Sequence, residues 1–371
     1  ETEAITEVLQ EMPYDDAVDI IRNMPEELAE EILNIMQDEH SEEIEQLLRY
    51  DEDTAGGIMS TEIFSLNQDL SVKKAVESLQ QAEDVEMVFY LYVTDENNHL
   101  VGVLSLRQLL TVPPSTLLKD IMIRDVISVR TDMDQEEVAL LVAKYNILAI
   151  PVVDDSNKLM GIITVDDVID VMRQEATEDI YKMAGASEEE LLYGYKSFKI
   201  ARLRLPWLVT NLFGGVVTGY LMWRFKATLE QVIALISFIP VITGMGGNVG
   251  GQSATIVVRG FATGRIDFST LRQVFFKELR VGMIMGAVCG LVVGLVAFIW
   301  HHNIYLGLVV GLAMVTAMTV AATMGVVATS FFKRIGIDPA IASSPFVQTA
   351  NDITGILIYF GTATMFLQHL A

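Results

Sequence analysis

IMSTEIFSLNQDLSVKKAVESL, residues 58–79, returns with its pattern intact as IMIRDVISVRTDMDQEEVALLV, residues 121–142. Farther along each copy, LVGVLSLRQLL (100–110) is matched by LMGIITVDDVI (159–169). Self-similarity of this kind marks one supersecondary unit used twice. The runs MVFYLYV (87–93) and LAIPVV (148–153) are rich in β-branched or aromatic residues and read as strands, with turns at DENN and DDSN. Each copy therefore predicts strand, helix, strand, strand, helix.

Working outward, residues 1–50 carry apolar residues at helical spacing, with Pro13 and Pro25 near two helix starts. They predict a three-helix fragment, the remnant of a larger helical domain. Residues 171–204 read as one long polar helix that turns basic at its end. From Leu205 onward there are five apolar segments, 205–223, 231–258, 281–300, 304–332 and 339–368. About 20 residues of helix cross a hydrocarbon core, so each segment is long enough to span. The expected architecture is a multi-domain membrane protein. It has an all-α segment (1–53), an α/β tandem repeat (54–118 and 119–172), a connecting helix (173–204) and a five-helix transmembrane domain (205–371).

Charge divides the same way. Residues 205–371 carry five acids and nine Lys and Arg, whereas the first 204 carry 44 acids and 16 bases. So acidic a surface argues against nucleic acid as a partner and for a cation. Eleven basic residues, among them Lys196, Arg204, Arg259, Arg280 and Arg334, flank the spans on the N-terminal side, and only Arg224 and Lys226 lie on the other. The positive-inside bias places the N-terminus in the cytosol and, with five spans, the C-terminus outside. The start, ETEAITEVLQ, lacks the basic and apolar regions of a signal peptide, which agrees. A single cysteine, Cys289, allows neither an internal disulfide nor a thiolate zinc site. No nucleophile–base motif stands out, so an enzyme is not expected.

Four features carry chemistry. Asp352 is the only charge between Ala340 and Leu367. A mid-membrane Asp costs roughly 2.5–3.5 kcal/mol unless water, a cation or a hydrogen-bonding partner meets it. No base lies at mid-membrane depth to pair with it, which favours a mobile cation, and Ser343, Ser344, Thr349, Asn351 and Thr354 suit a wet face. The stretch TGMGGNVGGQSAT (243–255) has five glycines in eight residues, which predicts loosened backbone with carbonyls free to face an ion. Close helix packing through small residues is the alternative. Asn248, Gln252 and Thr255 add polar groups there. Glu175, Glu178 and Asp179 share a helical face, with Asp167 and Asp170 in the same half-circle. Carboxylates alone suit a hard cation, Mg²⁺ or Ca²⁺; a solvated acidic face is the alternative. Finally, Thr164 and Asp167 have the spacing to hold a ribose, where the first copy has Ser105 and Gln108.

With DTAGGIM (53–59), the tandem repeat of cystathionine-β-synthase (CBS) type, EATEDI (175–180), GGNVGGQSAT and DPAIASSPFVQTANDITG (338–355) in this order, the chain resembles the MgtE family of magnesium channels and transporters along essentially its whole length. The resemblance implies a homodimer in a prokaryotic-type plasma membrane, in contact with lipid. It implies a pore on the two-fold axis, with Asp352, Gln348 and Asn351 from the fifth span and Gly244, Gly247, Asn248 and Thr255 from the second. It implies sensor sites at Asp134, Glu136, Asp167, Asp170, Glu175, Glu178 and Asp179, where Mg²⁺ closes the gate through the connecting helix. It further implies ATP bound near Pro151, Thr164 and Asp167. The chain departs from the family pattern in a short N-domain, as a truncation would give. Gly251 and Asn146 stand where the family carries Asn and commonly an acid. Taken without the resemblance, the residues leave three other readings open. These are a proton- or sodium-coupled transporter, a broader channel for Mn²⁺, Co²⁺ or Ca²⁺, and a membrane-anchored nucleotide sensor that transports nothing.

Overall fold

A computed structural model describes residues 2–82, 90–187, 190, 197–342 and 345–370, in two compact units, residues 1–175 and 176–371. Met87 to Phe89, Lys196, Ser343 and Ser344 lie outside the described residues.

The first unit opens with four helices, one more than expected: α1 (Thr2–Gln10), α2 (Tyr14–Arg22), α3 (Glu26–Ile35) and α4 (Asp38–Leu47). The fourth is easily missed because its acidic sequence offers only Ile44 and Leu47 to a core, and both are buried. Leu9, Val18, Ile21 and Ile32 join them in one cluster with Val138, Ile150 and Ile163 of the second repeat. Arg22 fastens these helices to the turn that follows. Its guanidinium donates to the carbonyls of Gly57, Leu47 and Tyr50 at 3.2, 3.3 and 2.9 Å.

The repeat is the predicted one. Its first copy comprises β1 (Ser65–Asn67), α5 (Val72–Gln81), β2 (Tyr90–Thr94), β3 (Leu100–Ser105) and α6 (Leu106–Thr111). After the short α7 (Leu118–Ile121), the second comprises β4 (Val129–Arg130), α8 (Gln135–Tyr145), β5 (Ala149–Val153), β6 (Leu159–Thr164) and α9 (Val165–Ala184). Each sheet places its second strand in the centre, parallel to the first and antiparallel to the third. The two copies meet through equivalent turns. Asn98 and Asn157, both in the left-handed region at φ 65°, exchange bonds reciprocally. Asn98 Nδ2 donates to Leu159 O at 3.2 Å and Asn157 Nδ2 to Leu100 O at 2.9 Å. Asn tolerates this backbone conformation, which explains DENN and DDSN at matching positions.

The connecting helix is not continuous. α9 stops at Ala184, where Gly185 adopts φ 69°. The Gly185 and Ala186 amides donate back to Lys182 O and Tyr181 O, which is the hydrogen-bond pattern of a helix C-terminus closed by glycine. The next helix, α10 (Ser197–Arg224), begins before the apolar run and includes Pro206.

The second unit continues with α11 (Lys226–Gln231), a 3-10 segment (Ile233–Phe238), α12 (Ile239–Ala262), α13 (Leu271–His301) and α14 (Ile304–Arg334). The short α15 (Pro339–Ala342), α16 (Pro345–Met365) and α17 (Leu367–Leu370) follow. Among the described residues, four helical stretches are long and apolar enough to cross a membrane: Ser197–Arg224, Ile233–Ala262, Leu271–His301 and Ile304–Arg334. The fifth expected segment forms a helix of 21 residues, but Gln348, Asn351 and Asp352 reduce its apolar character. It packs inside the bundle, with Tyr359 and Phe360 fully buried and the Tyr359 hydroxyl donating to Leu235 O at 2.9 Å.

Glycine sets the helix spacing. Gly282, Gly286, Gly290 and Gly294 recur every four residues along α13 and press directly on α14. A Cβ on Gly290 would lie 2.6 Å from Gly311 O, and one on Gly294 would lie 2.7 Å from Gly307 O. Small residues let backbones approach where lipid provides no hydrophobic drive.

Candidate functional site

The glycine-rich stretch is a continuous α-helix, and the expected loosening does not occur. Its glycines serve contact instead. A Cβ on Gly247 would collide with the Gln348 side chain, and one on Gly250 with Asn351 and Val347. The same stretch of α12 also meets α14, where Gly325 sits against Gly250 O and Ala254 N. Packing enthalpy and interhelical bonds thus offset the poor helix propensity of glycine. Gly244 and Gly251 have open space around them.

That difference sorts the helix into faces. Gly244, Asn248, Gly251 and Thr255 follow one another at intervals of three and four, and the first, second and last are exposed within the chain. Gly247 and Gly250 turn to α16. Asn248 and Gln252 also border a cleft of about 510 Å³ shared with Ile284, Met285 and Cys289 of α13. A membrane helix with a polar exposed stripe faces water, protein or an ion rather than acyl chains.

On α16, Asn351 is buried and its Nδ2 donates to Gly246 O at 3.3 Å. Asp352 is half-buried, and Gln348 Nε2 donates to its Oδ1 at 3.4 Å. Among the described residues no Lys or Arg lies within ion-pair distance of Asp352. The sequence reading missed a third helix at this place. Gly214 of α10 abuts Thr349, and Thr349 Oγ1 donates to Asn211 Oδ1 at 3.4 Å. Asn211 lies three residues before Gly214, a spacing that places both on one helical face.

The acids of α9 divide into separate environments. Thr164 Oγ1 donates to Asp167 Oδ2 at 2.6 Å, and the Thr164 amide donates to the same oxygen at 3.2 Å, which is the returning half of a capping box. The first copy makes both halves of such a box, with Ser105 and Gln108. Thr164 and Asp167 border a small cleft of about 90 Å³ together with Asp15, Asp16, Ser60 and Glu62. Burial pushes the Asp15 carboxyl up to about 7, aided by the nearby Asp167 charge. Burial likewise raises Asp167, against the two bonds from Thr164. Asp15 and Asp16 were missed because acids in a first helical turn are ordinary. Pro151 lies in β5 opposite Ile162, whose own amide and carbonyl bond to Ser60 instead. Ile162 borders the cleft, and Pro151 supports it from the neighbouring strand.

Asp134 is the N-cap of α8 and accepts from the Glu136 amide at 2.8 Å. Glu175 accepts from the buried Gln135 Nε2 at 2.6 Å. Asp170 pairs with Arg173 at 3.2 Å. Glu178 and Asp338 hold Lys182 between them at 2.5 and 2.7 Å. Burial lowers that ammonium's pKa, but the two carboxylates outweigh it and hold Lys182 above its ordinary range. Asp179 follows on the same helix. Among the described residues, no three acidic, His or Cys side chains are grouped to hold a metal ion.

Known proteins are similar to this chain in sequence. The magnesium transporter MgtE of Thermus thermophilus is 40% identical over 328 residues, covering 87% of this chain and 72% of the relative. The chain belongs to the MgtE family. The magnesium transporter MgtE of Bacillus subtilis is likewise 40% identical, over 325 residues and 72% of its length. The divalent cation transporter domain of MgtE matches residues 239–362, the MgtE intracellular N domain residues 1–53, and CBS domains residues 55–115 and 118–174. Among solved structures, the soluble part of a magnesium transporter is 41% identical and covers 47% of this chain and 69% of its own, with a TM-score of 0.46. The cytosolic domain of the Mg²⁺ channel MgtE in complex with ATP is 40% identical and covers 45% and 68%, with a TM-score of 0.43. As an MgtE family member with four long apolar helices, the chain is a multi-pass membrane protein of a transporter family.

Proposed function

We propose that the chain carries hydrated Mg²⁺ across a membrane along a path lined by α12 and α16. The observation that carries the reading is Asp352, a half-buried carboxylate inside a helical bundle with Gln348 as its hydrogen-bond partner and, among the described residues, no cation beside it. A carboxylate at such depth persists when something positive passes. Mg²⁺ gives up its waters reluctantly, so amides and carbonyls that bind the waters suit it better than a dehydrating cage. Gln348, Asn351, Asn248, Thr255 and the backbone at Gly244 and Gly247 supply such groups.

In this reading α16 is the fifth span, and two copies of the chain face each other in a lipid bilayer of prokaryotic type. The N-terminus is cytoplasmic and the C-terminus external. The domains divide after residues 53, 118, 172 and 204. The open polar stripe of α12 supports a second copy, because a single chain leaves Gly244, Asn248 and Thr255 exposed. The acids of the first unit and of α9 then act as the regulator. When Mg²⁺ is scarce, their repulsion keeps the cytosolic parts apart. When it is abundant, ions at Asp134, Glu136, Asp167, Asp170, Glu175, Glu178 and Asp179 bridge them and close the path. The ion acts only through its higher affinity for the closed form.

ATP fits as a modulator at the second CBS copy. The Thr164 hydroxyl and Asp167 carboxylate lie side by side at a helix N-terminus, where a ribose diol can replace their mutual bond. Pro151 lines the strand beneath.

The test is Mg²⁺ uptake into liposomes at several internal and external Mg²⁺ concentrations, with and without a pH gradient. Uptake that needs no pH or sodium gradient and falls as Mg²⁺ rises on the cytosolic side is expected. Uptake that follows the proton or sodium gradient would favour coupled exchange, and equal Mn²⁺, Co²⁺ or Ca²⁺ uptake a broader channel. No uptake at all would leave a nucleotide sensor.

A further inference from the structure

Glu278, on α13, is the one acid of the apolar half that the path above does not use and the bundle nevertheless buries. It is 3% exposed, and its Oε2 accepts a hydrogen bond from Ser253 Oγ of α12 at 2.7 Å. Ser253 is 2% exposed. The nearest cationic group, Lys277 Nζ, lies 3.9 Å from Oε1 on a side chain that is largely in the open. An apolar residue would fill the same place at lower cost, because burying a carboxylate is expensive even when it is paired. What the carboxylate adds is direction, since a bond to a charged acceptor is stronger and more orienting than apolar contact.

The direction matters because of where Ser253 lies. It is on the side of α12 opposite the stripe Gly244, Asn248, Gly251 and Thr255. The same back surface meets Gly325 of α14, and the flank meets Asn351 through Gly246 O. Three contacts from three helices thus fix the rotation of α12. A rotation of one residue, about 100°, would replace Asn248 with Val249 on the open side. We propose that Glu278 is a positioning residue for conduction: through Ser253 it holds α12 at the rotation that presents Asn248 and Thr255 to the ion.

The proposal rests on the conduction reading above, and its test separates the two. Full-length chain is reconstituted as wild type, Glu278→Ala, Glu278→Gln and Ser253→Ala, and uptake is expressed per folded channel. In parallel, Asn248→Cys and Val249→Cys, each in a Cys289→Ala background, report the rotation by their labelling rates with a water-soluble thiol reagent. Glu278→Ala and Ser253→Ala are expected to lower uptake per channel by about tenfold. They are also expected to raise Val249→Cys labelling relative to Asn248→Cys. Glu278→Gln keeps an oxygen for Ser253 and is expected to restore both readouts to within about twofold of wild type. A conducting wild type whose labelling ratio and uptake per channel survive Ser253→Ala would overturn the assignment, even if Glu278→Ala fails to fold. A wild type that carries no Mg²⁺ would sink the conduction reading, and with it any conductive role for Glu278.

Discussion

Asn351 of α16 donates to the main-chain oxygen of Gly246 at 3.3 Å, and this bond joins the helix bearing Asp352 to the helix bearing the polar stripe. It forms only because Gly247 and Gly250 lack side chains where Gln348 and Asn351 approach. The glycines of α12 therefore act through closeness to a neighbour rather than through a broken helix.

Gly250→Ala tests that closeness. Its methyl would overlap Asn351 and crowd Val347, at an expected cost of about 1–3 kcal/mol. Gly219→Ala, with nothing near its Cβ position, is the control and should be neutral or slightly stabilising. Thermal unfolding in detergent compares them, and equal midpoints would remove the packing argument.

Thr164→Val removes a ribose-facing hydroxyl and its bond to Asp167, but keeps the backbone amide that donates to the same carboxylate. Loss of the hydroxyl's bond to the carboxylate should cost about 1 kcal/mol. If the CBS site takes ATP as proposed, nucleotide affinity should fall as well, by about tenfold. Ser105→Val removes the N-cap hydroxyl of the first copy, which accepts from the Gln108 amide, and should cost about 1 kcal/mol without changing nucleotide affinity. Calorimetric titration with ATP on both variants distinguishes cap from site.

Asp15 makes stability depend on pH. Its carboxyl titrates near 7 in the fold, above its ordinary 3.8, so the folded state holds the proton more tightly. Its contribution is complete below pH 3.8 and is lost as pH rises through about 7. Asp15→Asn should therefore flatten the decline between pH 4 and 7 and be more stable than wild type at pH 8, by about 1–3 kcal/mol. Unfolding midpoints across that range check it; parallel curves for the two proteins would show that Asp15 does not titrate there.

Much of this was legible in the sequence, for identifiable reasons. The CBS repeat declared itself because each copy needs the same turn, and Asn98 and Asn157 share the left-handed backbone. Asp352 stood out as a candidate because a lone charge in an apolar run has few explanations. The break at Gly185 was not, since a single glycine among helix-forming residues is often tolerated and only the backbone angle reveals the stop. Nor was the use of the α12 glycines, because propensity alone weighs against helix and tertiary contact decides. Asn211, Asp15 and Glu278 were hidden because their meaning depends on which residues face them across the fold.

The central claim is that Asp352 meets a passing Mg²⁺. Mg²⁺ uptake by liposomes holding equal amounts of folded wild type and Asp352→Asn tests it most directly. Asn has nearly the same shape and keeps a polar group for Gln348, but removes the charge. The account predicts uptake in wild type, inhibited by Mg²⁺ on the cytosolic side, and a loss of about tenfold or more in Asp352→Asn. Equal uptake by the two proteins would contradict it.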